Sequence, residues 1–428
     1  MISVNLFVLV ASFFILLFLG IPIAYALCMS SLLYMVVYSD VPLIIIAQQM
    51  LKGVDSFTLM AIPFFVIAGS LMQNGGIARR MVNFAKSCIG FIPGGLAVVT
   101  VVTSMIFAAM TGAGAATTAA VGGIMIPFMR DEGYDADYAS AVQAVGGIFG
   151  PLIPPSVLMV LYGVASGESV GDMLLAGLLP GLFLGVIVIA VVLFQCMKKG
   201  YKGSGSFDIK EVGSSFIKAI WAMLAPVIIL GGIYSGLFTP TEASAVACFY
   251  CLIIGIFVYR EIKPTQVCSI VFEGVKSAAS IMFIVGATQV FGWVITREGI
   301  PQMVAELFTS SISSPLVFLL SVCLILLVAG CFIDAVPALL IFAPIFCPTA
   351  LAYGIDMVHF GVVMVVVLCI GLVTPPVGIN LFVASSVGGE PIHKIIPHLP
   401  KLILAIMVGA LFIVLIPAMS TFLPSLLK

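Results

Sequence analysis

Charge is scarce in this chain. Asp, Glu, Lys and Arg together supply 8% of its 428 residues while apolar residues supply 62%, and the mean hydropathy is +1.30. An average soluble domain is about 25% charged, so the deficit excludes a water-soluble globular protein and leaves a polytopic membrane protein.

Other scarcities remove function classes in turn. The net charge is −1 and no basic run with interleaved aromatics occurs, which argues against a nucleic-acid partner. GxxxxGK[ST] is missing, as is any soluble nucleotide-binding domain, so primary pumping by this chain is excluded. No charged n-region with a cleavage site opens the sequence; the apolar run from Val4 to Tyr38 reads as retained membrane spans. The three histidines, His359, His393 and His398, show no metal-ligand spacing with cysteine and read as loop residues at the membrane surface. The ten cysteines lie mostly in apolar spans and read as small hydrophobes. Cys248 and Cys251 form a CxxC, but inside an apolar helix with no strand before it, against redox or zinc chemistry. An intramembrane hydrolase would need a nucleophile and a base at membrane depth, yet Asp334 stands alone with no histidine near mid-span.

Glycine and proline are plentiful, and their order carries information. A shift of 221 residues lays Pro127 on Pro348, Gly133 and Asp135 on Gly354 and Asp356, Gly150 on Gly371, and Pro154 and Pro155 on Pro375 and Pro376. The chain therefore reads as two repeats, 1–205 and 206–428. Between them "KKGYKGSGSFDIKEV", 198–212, is the one extended polar stretch, and Lys198, Lys199, Lys202, Lys210 and Lys218 mark 198–218 as cytoplasmic.

In the first repeat, spans are expected near 4–20 and 22–39, a surface helix at 42–55, a span at 58–73 and an amphipathic stretch at 76–90. A re-entrant hairpin follows, 94–110 and 115–129, then a span at 137–166 broken at "GPLIPPS" and a last span at 172–197. The second repeat is expected to read the same way. Each repeat then crosses five times, and an odd number inverts the second copy. The expected fold class is an all-α polytopic membrane protein of two inverted-topology repeats, each with one re-entrant hairpin and one broken helix. With the linker inside, Arg79, Arg80, Lys86, Arg130, Arg260, Lys263, Lys276, Lys394 and Lys401 also fall inside, and only Lys52, Arg297 and Lys428 outside, with both termini outside.

Proline has no amide hydrogen, so "GPLIPPS" at 150–156 and "GLVTPPV" at 371–377 leave carbonyls without partners where water is absent. Inverted repeats with discontinuous helices are the construction of secondary carriers, and freed carbonyls suit a dehydrated cation. Two sodium sites are expected. One uses Thr111 with carbonyls of Gly150, Ile153 and Pro155; the other uses Gly330, Gly371, Thr374 and Val377. Asp334, at the second hairpin tip, has two readings: contact with a cation or substrate hydroxyl, or a helix cap on the amides of 336 and 337, of which Pro337 has none. Thr117 and Asn380 are further candidates for substrate contact. Glu242 reads as part of a capping box with Thr239, with Pro240 in the first turn.

The assembled motifs closely resemble the large membrane subunit, DctM type, of the tripartite ATP-independent periplasmic (TRAP) transporters. "GIPIAYAL" at 20–27, "AIPFFVIAGSLMQNGGIARR" at 61–80, "GPLIPPS", "GGIYSGLFTPTEASAVA" at 231–247 and "GLVTPPVGINLF" at 371–382 carry the resemblance over essentially the full length. It implies a non-enzymatic, Na+-driven importer of an organic acid in a bacterial inner membrane, with periplasmic termini. It also implies a separate small DctQ-type subunit and a periplasmic substrate-binding protein as partners, besides membrane lipid. An elevator mechanism is implied as well, with a transport part at 93–166 and 313–388. The scaffold is then 1–92, 167–197, 213–312 and 389–428. Sodium coupling fits the energetics: a monoanion entering against an inside-negative potential is opposed by about 2.3 kcal/mol per 100 mV, and two sodium ions reverse that sign. The alternative is a standalone sodium/anion symporter of similar architecture. No arginine cluster marks a carboxylate clamp, so dicarboxylates, keto acids, sugar acids and sialic acid all remain open as substrates.

Overall fold

The computed structural model of the protein describes residues 4–204 and 207–426; Lys428, expected outside, is not among them. Among the described residues the structure is all-α. Apolar backbone in hydrocarbon has to satisfy its own hydrogen bonds, and helices do so within one segment. Five helices among the described residues are long and apolar enough to cross a bilayer, or up to seven if two bent pairs count as one span each.

The first half opens with α1 (Val4–Phe18), α2 (Ile23–Tyr38) and α3 (Ile44–Val54). None of the residues of α3 is buried, and it meets the next helix at 69°, as a surface helix should. A short 3-10 turn, Thr58–Met60, leads into α4 (Ala61–Asn74), and α5 (Ile77–Ile89) is the amphipathic stretch. The hairpin is α6 (Gly95–Thr111) and α7 (Gly114–Asp131). The broken helix is α8 (Ala136–Gly146), a 3-10 turn at Gly147–Phe149, and α9 (Val157–Ser166). The first half closes with α10 (Val170–Lys199).

The second half follows this order with two departures and one added terminal helix, α21. Its elements are α11 (Ile209–Tyr234), α12 (Pro240–Ile253), α13 (Pro264–Arg297), α14 (Ile300–Ser311), the hairpin α15 (Pro315–Gly330) and α16 (Ala335–Ala352), and the broken helix α17 (Met357–Gly371) and α18 (Ile379–Gly388). Then come α19 (Ile392–Ile395), α20 (Pro400–Leu415) and α21 (Ala418–Leu426). The expectation that both halves read alike fails at α13. This single 34-residue helix stands where the first half bends between α3 and α4, because no counterpart of Asp55, Ser56 and Phe57 interrupts it. The converse holds at the end: α10 is continuous, whereas the chain bends by 55° between 392–398 and 400–415, a stretch punctuated by Pro397 and Pro400. The capping box is present: Thr239 Oγ1 accepts from the Glu242 amide at 3.3 Å and Glu242 Oε2 from the Thr239 amide at 2.8 Å.

The core sits on the broken helices. Every residue of α17 is buried and so is nearly all of α8, as expected of helices apolar all round. This corrects the surface placement of His359. It lies in the first turn of α17, 1% exposed, with its amide on Asp356 Oδ1 at 2.9 Å and its Nδ1 3.3 Å from Ser420 Oγ. His393 is exposed, and His398 pairs with Asp137 at 3.3 Å. The halves interlock where Tyr162 of α9 donates to the Met357 carbonyl at 2.8 Å.

At the linker end of α10, Lys199 Nζ and Tyr201 OH both donate to Asp135 Oδ2, at 2.8 and 2.7 Å. The Lys199 bond first, then that from Tyr201, holds the Asp135 carboxyl below its ordinary range. A depressed carboxyl contributes stability that is present above its unfolded value and is lost as pH falls through the folded one. Thermal denaturation of the purified protein is therefore expected to lose stability on acidification below the ordinary carboxylate range, and Lys199→Met to flatten that slope. The effect stays within about 1 kcal/mol because the pair is solvent-exposed.

Candidate functional site

Each hairpin tip presses backbone against backbone on the break of its own half. At the first, the Val157 amide donates to the Gly112 carbonyl at 3.3 Å; at the second, the Val377 amide donates to the Cys331 carbonyl at 3.2 Å. Only glycine allows these approaches. A Cβ on Gly150 would lie 2.5 Å from the Ala113 carbonyl carbon, and one on Gly371 would lie 2.6 to 2.7 Å from the Gly330 backbone. Gly112 adds a left-handed turn at φ 64, needed to reverse the chain between α6 and α7.

The prolines leave the Gly150 carbonyl free, but those of Pro151, Gly371 and Leu372 find other donors in Ser156 Oγ, the Thr374 amide and the Asn380 amide. Among the described residues no group donates to the carbonyl oxygens of Gly150, Ile153 or Pro155, nor to those of Gly330, Thr374 or Val377. Carbonyls without donors thus occur beside each hairpin tip and break. The Gly371 carbonyl differs, since it already accepts from the Thr374 amide at 3.1 Å. Thr374 Oγ1 donates to the Ile370 carbonyl at 2.7 Å. Thr111 Oγ1 lies 2.9 Å from Thr117 Oγ1 with both residues buried, so the two hydroxyls form one pair at the first tip.

Asp334 caps α16, but on Ala335 rather than on residues 336 and 337: its Oδ1 accepts from the Ala335 amide at 2.8 Å. The side chain is half-buried and borders a cavity of about 210 Å³. That cavity collects both tips and both breaks: Gly112 to Ala115, Asp334 to Val336, Pro151, Val157 and Leu372, with Ile281 of α13 on the remaining side. Asn380 also lines it and joins the halves. Its amide donates to the Leu372 carbonyl at 3.0 Å and its Nδ2 to the Ala144 carbonyl of α8 at 3.4 Å, while its Oδ1 is buried without a partner.

Sequence reading missed Gln143. Its Nε2 donates to the Thr117 carbonyl at 3.3 Å, and its Oε1 is a second buried acceptor without a partner. The signal was available, because a lone glutamine in the apolar run "ASAVQAVGGIFG" is costly without a polar neighbour. The structure thus pairs Thr111 with Thr117 at the first tip and places Asn380, Asp334 and both breaks around the cavity.

The match to the family model described as "Tripartite ATP-independent periplasmic transporter, DctM component" runs from residue 10 to 419. The chain belongs to this family. It is 40% identical over 411 residues to the sialic acid TRAP transporter large permease protein SiaM of Vibrio cholerae serotype O1, covering 96% of each chain. It is 42% identical over 380 residues to the C4-dicarboxylate TRAP transporter large permease protein DctM of Pseudomonas aeruginosa, covering 89% of each. Among solved structures, the YdaH transporter of Alcanivorax borkumensis shares the fold at a TM-score of 0.60 over 86% of each chain, with 14% identity. This DctM chain is thus a multi-pass membrane protein and a transporter permease rather than an enzyme.

Proposed function

We propose that this chain is the large membrane subunit of a sodium-driven importer of organic-acid anions in a bacterial inner membrane. It works with a separate DctQ-type subunit and a periplasmic substrate-binding protein. The observation that carries the reading is the pair of breaks at 150–156 and 372–378, each with donor-free carbonyls and each bordering, together with both hairpin tips, one cavity. Peptide oxygens without carboxylates favour a monovalent cation over a divalent one, which recruits carboxylate ligands. Two sodium stations result, Thr111 with Gly150, Ile153 and Pro155, and Gly330 with Gly371, Thr374 and Val377. The substrate occupies the cavity between them, near Asp334, Asn380 and Thr117. The repeats have opposite orientation in the membrane, and 93–166 with 313–388 slides as one body against the remainder.

The substrate is an anion whose identity the family leaves open, since two relatives of nearly equal similarity differ in it: sialic acid at 40% identity and a C4-dicarboxylate at 42%. The deciding experiment is uptake into proteoliposomes holding both membrane subunits, with a panel of acids presented on the cognate receptor. Uptake is expected to need an inward sodium gradient, and Thr374→Val to raise the sodium concentration needed for half-maximal rate roughly tenfold, the size of one lost bond to a charged partner. Uptake indifferent to collapse of the sodium gradient would sink the reading.

A further inference from the structure

A second, larger cavity of about 420 Å³ lies beyond the first, and its walls are unlike. Its polar lining, Gln49, Lys52, Thr288, Gln289, Trp293 and Thr296, comes entirely from α3 and α13. The facing wall, Leu161, Val164 and Ala165 of α9 with Leu340 and Pro344 of α16, is entirely apolar. The cavity is built rather than incidental: a Cβ on Gly53 would sit 2.6 Å from Gln289 Cβ, so only glycine lets α3 dock closely enough to place Gln49 and Lys52 beside α13. It also continues the site already described. Successive turns of three helices lead from one to the other, Leu158 to Leu161 on α9, Val336 to Leu340 on α16, and Ile281 to Val285 on α13.

We infer that this outer cavity is a loading station for the organic-acid anion, held by the fixed α3 and α13 wall before it reaches the deeper cavity. The inference rests on the transport reading above, with α3 and α13 in the scaffold and α9 and α16 in the moving part. Lys52 supplies the only charge in the lining, and among the described residues it has no ion pair or hydrogen bond, so its ammonium is free for a carboxylate. Gln49 and Gln289 offer amides to hydroxyl or carbonyl groups, and the Trp293 ring an apolar face. The volume falls within the range of small-molecule sites, roughly 300–1,000 Å³. Because every polar contact comes from the fixed wall, the sliding wall breaks no hydrogen bond as it moves. Lys52 therefore governs loading and leaves the translocation step alone.

Trp293 provides the readout, since the chain has one other tryptophan, Trp221. The full chain with its small subunit is prepared as Trp221→Phe and as Trp221→Phe/Trp293→Phe, and the difference spectrum isolates Trp293. Succinate, pyruvate and N-acetylneuraminate are titrated at constant ionic strength. The expected result is a saturable change with at least one acid, weakened roughly tenfold or more by Lys52→Gln and largely kept by Lys52→Arg. In uptake assays Lys52→Gln raises KM with kcat unchanged. Titrations alike with and without the Lys52 charge, or no saturable change for an acid that the same preparation transports, would overturn the station. Loss of uptake for every acid would instead count against the transport reading, while the Trp293 titration, which needs no transport, still decides the station.

Discussion

Gly371→Ala is expected to abolish sodium-dependent uptake in a chain that still folds into the membrane. The added methyl would lie 2.6 to 2.7 Å from the carbonyl carbon, Cα and oxygen of Gly330, and backbone cannot swing away as a flexible side chain can. On its own side Gly371 has no room to retreat, since α17 is buried along its whole length. Overpacking of this kind costs about 1–3 kcal/mol, enough for roughly a ten- to hundredfold loss of sodium affinity if the tip moves off the break. The Val377 to Cys331 bond at 3.2 Å goes with it, and the free carbonyls of Gly330, Thr374 and Val377 spread apart. Gly150→Ala does the same at the first tip, against Ala113 at 2.5 Å. Gly123→Ala is the control, on α7 with nothing within 4 Å of the new methyl. Sodium-dependent uptake by the Gly371→Ala protein indistinguishable from the control would refute the role of this contact.

The second large effect is a separation of stability from transport at Asn380. Its Oδ1 is buried without a partner, and its one side-chain hydrogen bond, to Ala144, is long at 3.4 Å. A buried acceptor left unpaired costs about 1–3 kcal/mol, so Asn380→Leu is expected to leave the melting temperature unchanged or raised. Uptake moves the other way. If Oδ1 is kept unpaired in order to meet a passing ligand, its removal lowers kcat/KM by about the same free energy, roughly fivefold to beyond a hundredfold. Measuring the denaturation midpoint and uptake on one preparation checks both halves. A protein that is destabilised yet transports normally would make Asn380 a structural clamp between α18 and α8.

The outcome of reading the sequence divides along a physical line. Breaks, hairpin tips and caps were legible because they follow from the chain's own chemistry: proline has no amide hydrogen, glycine admits close contact, and Thr239 with Glu242 closes a box within one turn. Side-chain partners brought together by packing were not legible. Nothing local says that Asn380 meets Ala144, 236 residues away, or that His359 lies inside the protein against Ser420. The straight course of α13 was hidden for a related reason, since the repeat was recognised from its punctuation and α13 differs from its counterpart by having none.

That unbroken rod matters for the working cycle. At 34 residues it is about 51 Å long, well past the roughly 30 Å of bilayer hydrocarbon, while its counterpart folds at 69° into an elbow. An exchange of shapes between the two halves is one way a carrier built of repeats could reach its opposite end-state. Here the exchange would require melting the middle of one rod or straightening the other limb through Asp55, Ser56 and Phe57. The two halves of this protein are accordingly not interchangeable here: one holds a straight rod where the other holds an elbow.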